Sequence, residues 1–400
     1  MTKTISRVLV VVLGALLVEY GAALPHYATG VLTMPLAVGL LAVGLLCIIA
    51  AVTETPVKYA SRLAAVALAL GSVAGVWVAA TATGPTTDAF TFTQYAGELL
   101  LQGENPYPAS MEPAFERYAR DPLRPTYRVD GSRVTTYSYP AGSILYAAVG
   151  AAGTAWLSNT FYVLLTVFLS ASGTLAYIEL PEEIAALAPI SLLAAGNLWF
   201  SAAGGIIDSI WLLPLVATMA YWRRDHLRRA GLCFGLAVAA KQQPWIIAPA
   251  AVLVLWRTSP ASRRVERVWS FVAPATAVFA VINAPFLIAD PVAWLEGVFV
   301  AVDVTKPSII QDGVGLVTLS TSGTLQLSSA LLGGLTVASM AAAYAVVYLR
   351  PQRFRHAIWV LPPLVLFWSP RSLASYFTMF TPVAVVALGN YIHAHQSHAR

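Results

Sequence analysis

The chain has 400 residues, 58% hydrophobic and 11% charged, with a formal net charge of +5. The charged share is about half the roughly 25% of soluble domains, which excludes a soluble multidomain enzyme. The basic excess is no nucleic-acid signal, because most Lys and Arg residues sit in short clusters between apolar runs, where they act as orientation signals.

Apolar runs of about 17–22 residues recur from end to end, the length a helix needs to cross a bilayer. The expectation is one all-α integral membrane domain over 1–400, with the lipid bilayer as partner and no nucleic acid. Cys47 and Cys233 lie in such runs and read as inert thiols. Lys3 and Arg7 hold the N-terminus inside, and the run at about 8–24 reads as an uncleaved first span. Glu19 falls near its outer end, within reach of interfacial water. A second span at about 31–52 leads to Lys58 and Arg62, again inside, and a third at about 60–82 exits into an external loop, 83–157.

That loop opens with TDAFTFTQYAGELLLQGENPY. Thr86 or Thr87 can cap a juxtamembrane helix with Asp88 in its first turn, where a carboxylate suits the helix dipole. Phe92, Tyr95 and Leu99 recur at helical spacing, and Gly103 with Asn105-Pro106 ends the helix. Capping alone accounts for an acid there, but not for one beside aromatics at a membrane surface.

Farther on, YWRRDHLRRAG at 221–231 belongs inside. This holds if the Gly- and Ala-rich 140–156 lies in the interface instead of crossing. Spans then follow at about 158–178, 183–200, 206–222, 229–240, 243–256, 267–289, 328–349, 355–369 and 374–392, with a second external loop at 290–327. The total is about twelve crossings, with both termini cytoplasmic. Trp199, Trp211, Trp245, Trp256, Trp294 and Trp368 fall near span ends, as an aromatic belt does.

On this topology Asp88, Asp208, Lys241, Gln242, Gln243 and Arg371 all reach the outer face. Each breaks apolar sequence where an ionised group is costly without a partner. Singly, each also reads as a helix end with its side chain reaching for headgroups; together, beside two long loops, they favour a site. His393, His395 and His398 form a tail cluster on the inner side and are not read as metal ligands.

Three motifs in order resemble the GT-C glycosyltransferases, especially the polyprenyl-phosphate-mannose-dependent mannosyltransferases of glycosyltransferase family 87. They are Asp88, Tyr95 and Leu99-Leu100-Leu101 closed by Gly103-Glu104-Asn105-Pro106-Tyr107; then Tyr137-Ser138-Tyr139-Pro140-Ala141; then Lys241-Gln242-Gln243-Pro244. The resemblance covers about 60–260; Ala141 stands where the family has a second Pro, and the Gly205 segment lacks a Gln. It implies a GT-C-like bundle with two external loops that carry juxtamembrane helices.

It also implies transfer of a sugar, mannose by resemblance, from a polyprenyl-phosphate donor to a hydroxyl of a lipid-linked or surface glycan at the outer face of the cell membrane. Inversion is expected, with no cofactor and no metal. Asp88 is then the general base, and Lys241, Arg371 and Lys306 hold the donor phosphate, with Arg128 and Arg133 in reserve. Tyr95, Asn105, Tyr107, Tyr139, Asp208 and Gln242 contact substrate.

Sidedness independently favours a lipid-carried donor, since cytoplasmic nucleotide sugars do not reach an external site. The chain also lacks the Asp-x-Asp metal clamp, and a lipid monophosphate can be held by cations and hydrogen bonds. The competing expectation is a secondary transporter or lipid-sugar flippase, with a broken helix at Lys241.

Overall fold

The computed structural model describes residues 2–53, 55–81, 87–118, 125–128, 131–153, 159–300, 308–309 and 313–398. Three helices open the chain, α1 (Thr2–Tyr27), α2 (Thr33–Val52) and α3 (Val57–Thr81). Then come α4 (Asp88–Leu101), α5 (Glu112–Tyr118) and α6 (Ala141–Gly153). Nine of the fourteen residues of α4 are buried. It is enclosed by protein more than the expected juxtamembrane helix, because Gly97 lets it press on Ala147 and Ala148 of α6.

After α7 (Thr160–Glu179) the expected helix over 183–200 is broken into a turn at Glu182–Ile184, α8 (Leu187–Leu193) and α9 (Leu198–Ala203). Gly196 and Asn197 take φ of 76° and 54°, and the Asn197 side chain accepts from Trp199 N at 3.1 Å. One helix therefore ends on a left-handed glycine, and the next starts on an Asn cap.

The chain continues through α10 (Ser209–Arg223), α11 (Leu227–Ala240), α12 (Ile247–Thr258), α13 (Arg264–Ala289) and α14 (Pro291–Phe299). A short α15 (Thr318–Thr321) precedes α16 (Ser329–Leu349), α17 (Pro351–Phe354), α18 (Leu361–Leu366), α19 (Ser375–Thr378) and α20 (Thr381–His398). Two short strands, β1 (Tyr127–Arg128) and β2 (Ser308–Ile309), pair antiparallel with Tyr127 opposite Ile309. They join the two segments expected as external loops.

The fold is all-α, and eight helical stretches among the described residues are long and apolar enough to cross a membrane. The other four expected crossings fall on α10, α11, α12 and the Ala357–Leu366 stretch, of 15, 14, 12 and 10 residues. At 1.5 Å per residue, α10 spans roughly 22 Å against a hydrocarbon core of roughly 30 Å.

Polar contacts give the bundle two ends. At one, Arg223 and Arg224 clamp the buried Glu179 at 2.8 and 2.7 Å, Arg267 pairs with Asp225, and His393 reaches the Glu179 carbonyl at 3.2 Å. At the other end of α10 lies Asp208. The aromatic-belt expectation fails for Trp199 and Trp211, which are fully buried, and for Trp294, 5% exposed. Trp199 fills space left by two glycines of α3, since a Cβ on Gly71 or Gly75 would lie 2.7 or 2.5 Å from its ring.

Candidate functional site

Thr87 caps α4, its side chain accepting from Phe90 N at 3.2 Å and donating to the Gly205 carbonyl at 2.9 Å. That second bond ties the start of α4 to the turn before Asp208. Gly205 sits there at φ 81°, and a Cβ would fall 2.9 Å from Phe90. Half-buried Asp88 accepts from Ala89 N (2.7 Å, Oδ1) and from Thr126 N (2.8 Å, Oδ2). Each carboxylate oxygen keeps a lone pair for a further donor.

The second group forms where α10 and α11 meet. Lys241 ends α11 in extended backbone, φ −158° and ψ 160°. Its Nζ lies 2.9 Å from Asp208 Oδ1, both side chains being buried, and 4.9 Å from the centre of the Tyr139 ring. Asp208 also accepts from Trp211 Nε1 at 3.0 Å and Gln243 Nε2 at 3.4 Å. Gln242 turns away and donates to Ser138 O at 2.7 Å and Val298 O at 2.8 Å. It staples the Tyr139 segment and the end of α14 to the break between α11 and α12.

Arg371 arrives from the turn after α18. It is buried, and its N donates to Ser369 Oγ at 3.1 Å. Burial opposes its charge, and Tyr376, Tyr139 and Asp88 outweigh that opposition.

Tyr139 is the meeting point. Burial pushes its phenol far above the ordinary range, Arg371 pulls the other way, and Asp88, Tyr376 and Asp208 each add to the rise. Groups from α4, α10, α18–α19 and the α11–α12 break thus share one electrostatic neighbourhood.

The remaining candidates sit apart or serve as supports. Tyr107 donates its hydroxyl to the Tyr139 carbonyl at 2.8 Å and is buried among Tyr137, Phe286 and Trp294. Asn105 accepts from Tyr107 N at 3.2 Å. Tyr95 lies under the Arg117 guanidinium at 5.1 Å, and Arg133 pairs with Glu112 at 3.5 Å. Arg128 belongs to β1. Lys306 lies outside the described residues.

Sequence reasoning missed Tyr376, Trp211 and the backbone of Thr126. Trp211 follows Asp208 by one helical turn, a spacing that was readable. Tyr376 offered only its nearness to Arg371. Among the described residues no three His, Cys, Asp or Glu side chains gather at one point, and His395 bonds the Tyr391 carbonyl at 2.9 Å.

Four buried polar atoms without partners in the structure adjoin this neighbourhood: Arg371 Nε, Ser372 Oγ, Ser209 Oγ and Gln243 Oε1. Two apolar grooves flank it without being lined by Asp88, Lys241 or Arg371. One of about 770 Å³ runs along α16 and α18 to Trp368, and one of about 660 Å³ lies between α11, α12 and α13 beside Trp245. Compared with known proteins, the chain matches no family model, no curated protein and no solved structure.

Proposed function

We propose that this is a membrane glycosyltransferase that moves a hexosyl group, mannose by resemblance, from a polyprenyl phosphate to an acceptor hydroxyl of a lipid-linked or surface glycan at the outer face. The observation that carries the reading is the gathering of Asp88, Arg371 and the Asp208–Lys241 pair around Tyr139. The four buried polar atoms without partners support it, since such groups are rare where no polar ligand is meant to reach them. So does the 770 Å³ groove, which ends three residues before Arg371 and suits an isoprenoid chain.

In the step, the acceptor oxygen attacks the anomeric carbon while Asp88 takes its proton. The carbon–oxygen bond to phosphate breaks from the opposite face and polyprenyl phosphate leaves, so configuration inverts. Arg371 is the leading group for the charge developing on that phosphate, because Asp208 already neutralises Lys241. Lys241 then holds Tyr139 and Asp208 in place, with Lys306 an expected additional cation. Topologically, the four shorter helices complete twelve crossings, and the basic end carrying Arg223, Arg224 and Arg267 faces the cytoplasm with both termini.

One observation favours a transporter instead: the break at Lys241 leaves extended backbone beside a buried ion pair, as in discontinuous transport helices. Asp88→Asn separates the two. Transfer of labelled sugar from a polyprenyl-phosphate donor by the purified variant should fall by about 10²–10⁴-fold with the protein folded. Substrate movement without transfer, unchanged by the substitution, would establish the transporter.

A further inference from the structure

We infer that the basic end of the bundle carries a second site, for the phosphate of an anionic lipid headgroup. A cavity of about 230 Å³ lies between the first three helices, lined by Ser6, Arg7, Thr55, Pro56, Val57 and Ala60 among others. It is far larger than the roughly 10–15 Å³ that admits one water, and it stands at the opposite end of α3 from Asp88. It does not rest on the transferase reading.

Three features suit phosphate. Arg7 supplies a guanidinium, whose fork matches two phosphate oxygens; it already has a polar contact, which an anion would join. Ser6 is only 5% exposed yet lines the cavity, and no hydrogen bond of its hydroxyl is formed among the described residues. Lastly, α3 starts at the cavity wall. The Pro56 carbonyl accepts from Tyr59 N at 2.9 Å and Ala60 N at 3.3 Å, and the preceding N–H groups of Val57 and Lys58 have no intrahelical acceptor. A helix start with free N–H groups and its positive dipole end favours an anion.

Sequence charge agrees: these stretches carry four basic residues, Lys3, Arg7, Lys58 and Arg62, and one acid, Glu54. Lys58 and Arg62 both approach the Tyr59 ring, at 5.1 and 5.5 Å. Free phosphate offers the same chemistry. The rest of the wall is apolar (Val10, Ala50, Ala51) and Val52 nearby is 75% exposed, which suits a headgroup whose glycerol and acyl chains continue into the bilayer.

The test is native mass spectrometry of the full-length protein in detergent, titrated with phosphatidylglycerol, with phosphatidylcholine of the same chains, and with inorganic phosphate. Phosphatidylglycerol should be retained about tenfold better than phosphatidylcholine. Ala60→Leu, which fills the cavity, and Arg7→Gln should each abolish that preference, while Arg353→Gln keeps it. Sugar transfer should be unchanged. Should Arg7→Gln fail to fold, Ala60→Leu with Ser6→Ala carries the test. Equal retention of the two lipids, or an undiminished preference in folded Ala60→Leu, overturns the site. Displacement of the lipid by equimolar inorganic phosphate assigns it to a soluble anion and overturns the lipid.

Discussion

Asp208 and Lys241 show what a buried ion pair demands of its neighbours. Their 2.9 Å contact is supported by donors from Trp211 and Gln243, and by the Tyr139 ring beneath the ammonium. Removing one partner leaves the other charge buried, which costs about 3–5 kcal/mol, whereas removing both is far milder. Lys241→Met should therefore lower the unfolding temperature in detergent markedly, and Asp208→Asn/Lys241→Met should recover most of the loss. A double variant as unstable as the single would show that the pair is not what holds α10 to α11. Both residues were legible in the sequence because each interrupts apolar runs. An Asp208 that orients Lys241 was one reading the sequence allowed, but nothing local reports that α10 and α11 are antiparallel neighbours with matched ends. For Tyr107 and Gln242 the residue types were readable as polar contacts, but their donors go to backbone carbonyls of this chain.

At the scale of elements, small residues and turns set how closely the site is drawn together. A Cβ on Gly142 of α6 would lie 2.5 Å from the Ala239 carbonyl, just before Lys241. Backbone cannot yield as a side chain does, so Gly142→Val should cost about 1–3 kcal/mol. It should also reduce sugar transfer by moving Tyr139 off Lys241; full activity at a lowered unfolding temperature would show that this spacing is immaterial.

The turn joining α10 to α11 makes a separate, pH-dependent claim. The Arg267 hydrogen bonds hold the Asp225 carboxyl below its ordinary range. A depressed carboxylate adds stability above its unfolded value and loses it as pH falls through the folded one. Asp225 is mostly exposed and sits at φ 60°, a backbone Asn also tolerates, so Asp225→Asn isolates the charge. The difference from wild type should be at most about 1 kcal/mol at pH 7, begin to shrink below about pH 4, and vanish only once the pH is below the depressed folded value in thermal unfolding. A difference that persists in acid would assign it to the backbone instead. Helix existence was largely readable from apolar runs here, and the Gly196-Asn197 break was written in residue types that end and start helices. The apolar runs on either side conceal it, because together they have the length of one span.

For the whole molecule, apolar length identified the membrane class, and eight of the expected spans are helices long and apolar enough to cross among the described residues. The shorter helices fall below that length, and α10 is covered by protein along most of it. Invisible from sequence were the β1–β2 pairing and the Thr87 bond to Gly205, contacts between residues far apart in the chain.

The α10–α11 hairpin carries one more consequence. Its open end is clasped by Asp208 and Lys241, and its closed end is a surface turn at Arg224–His226 whose flanking strands of contact do not depend on chain continuity. A gene divided at Asp225, with both halves produced in one cell, should yield fragments that co-purify as a noncovalent whole. Replacing Lys241 by Met in the second half should abolish that reassembly, and fragments that associate regardless would show the clasp to be dispensable.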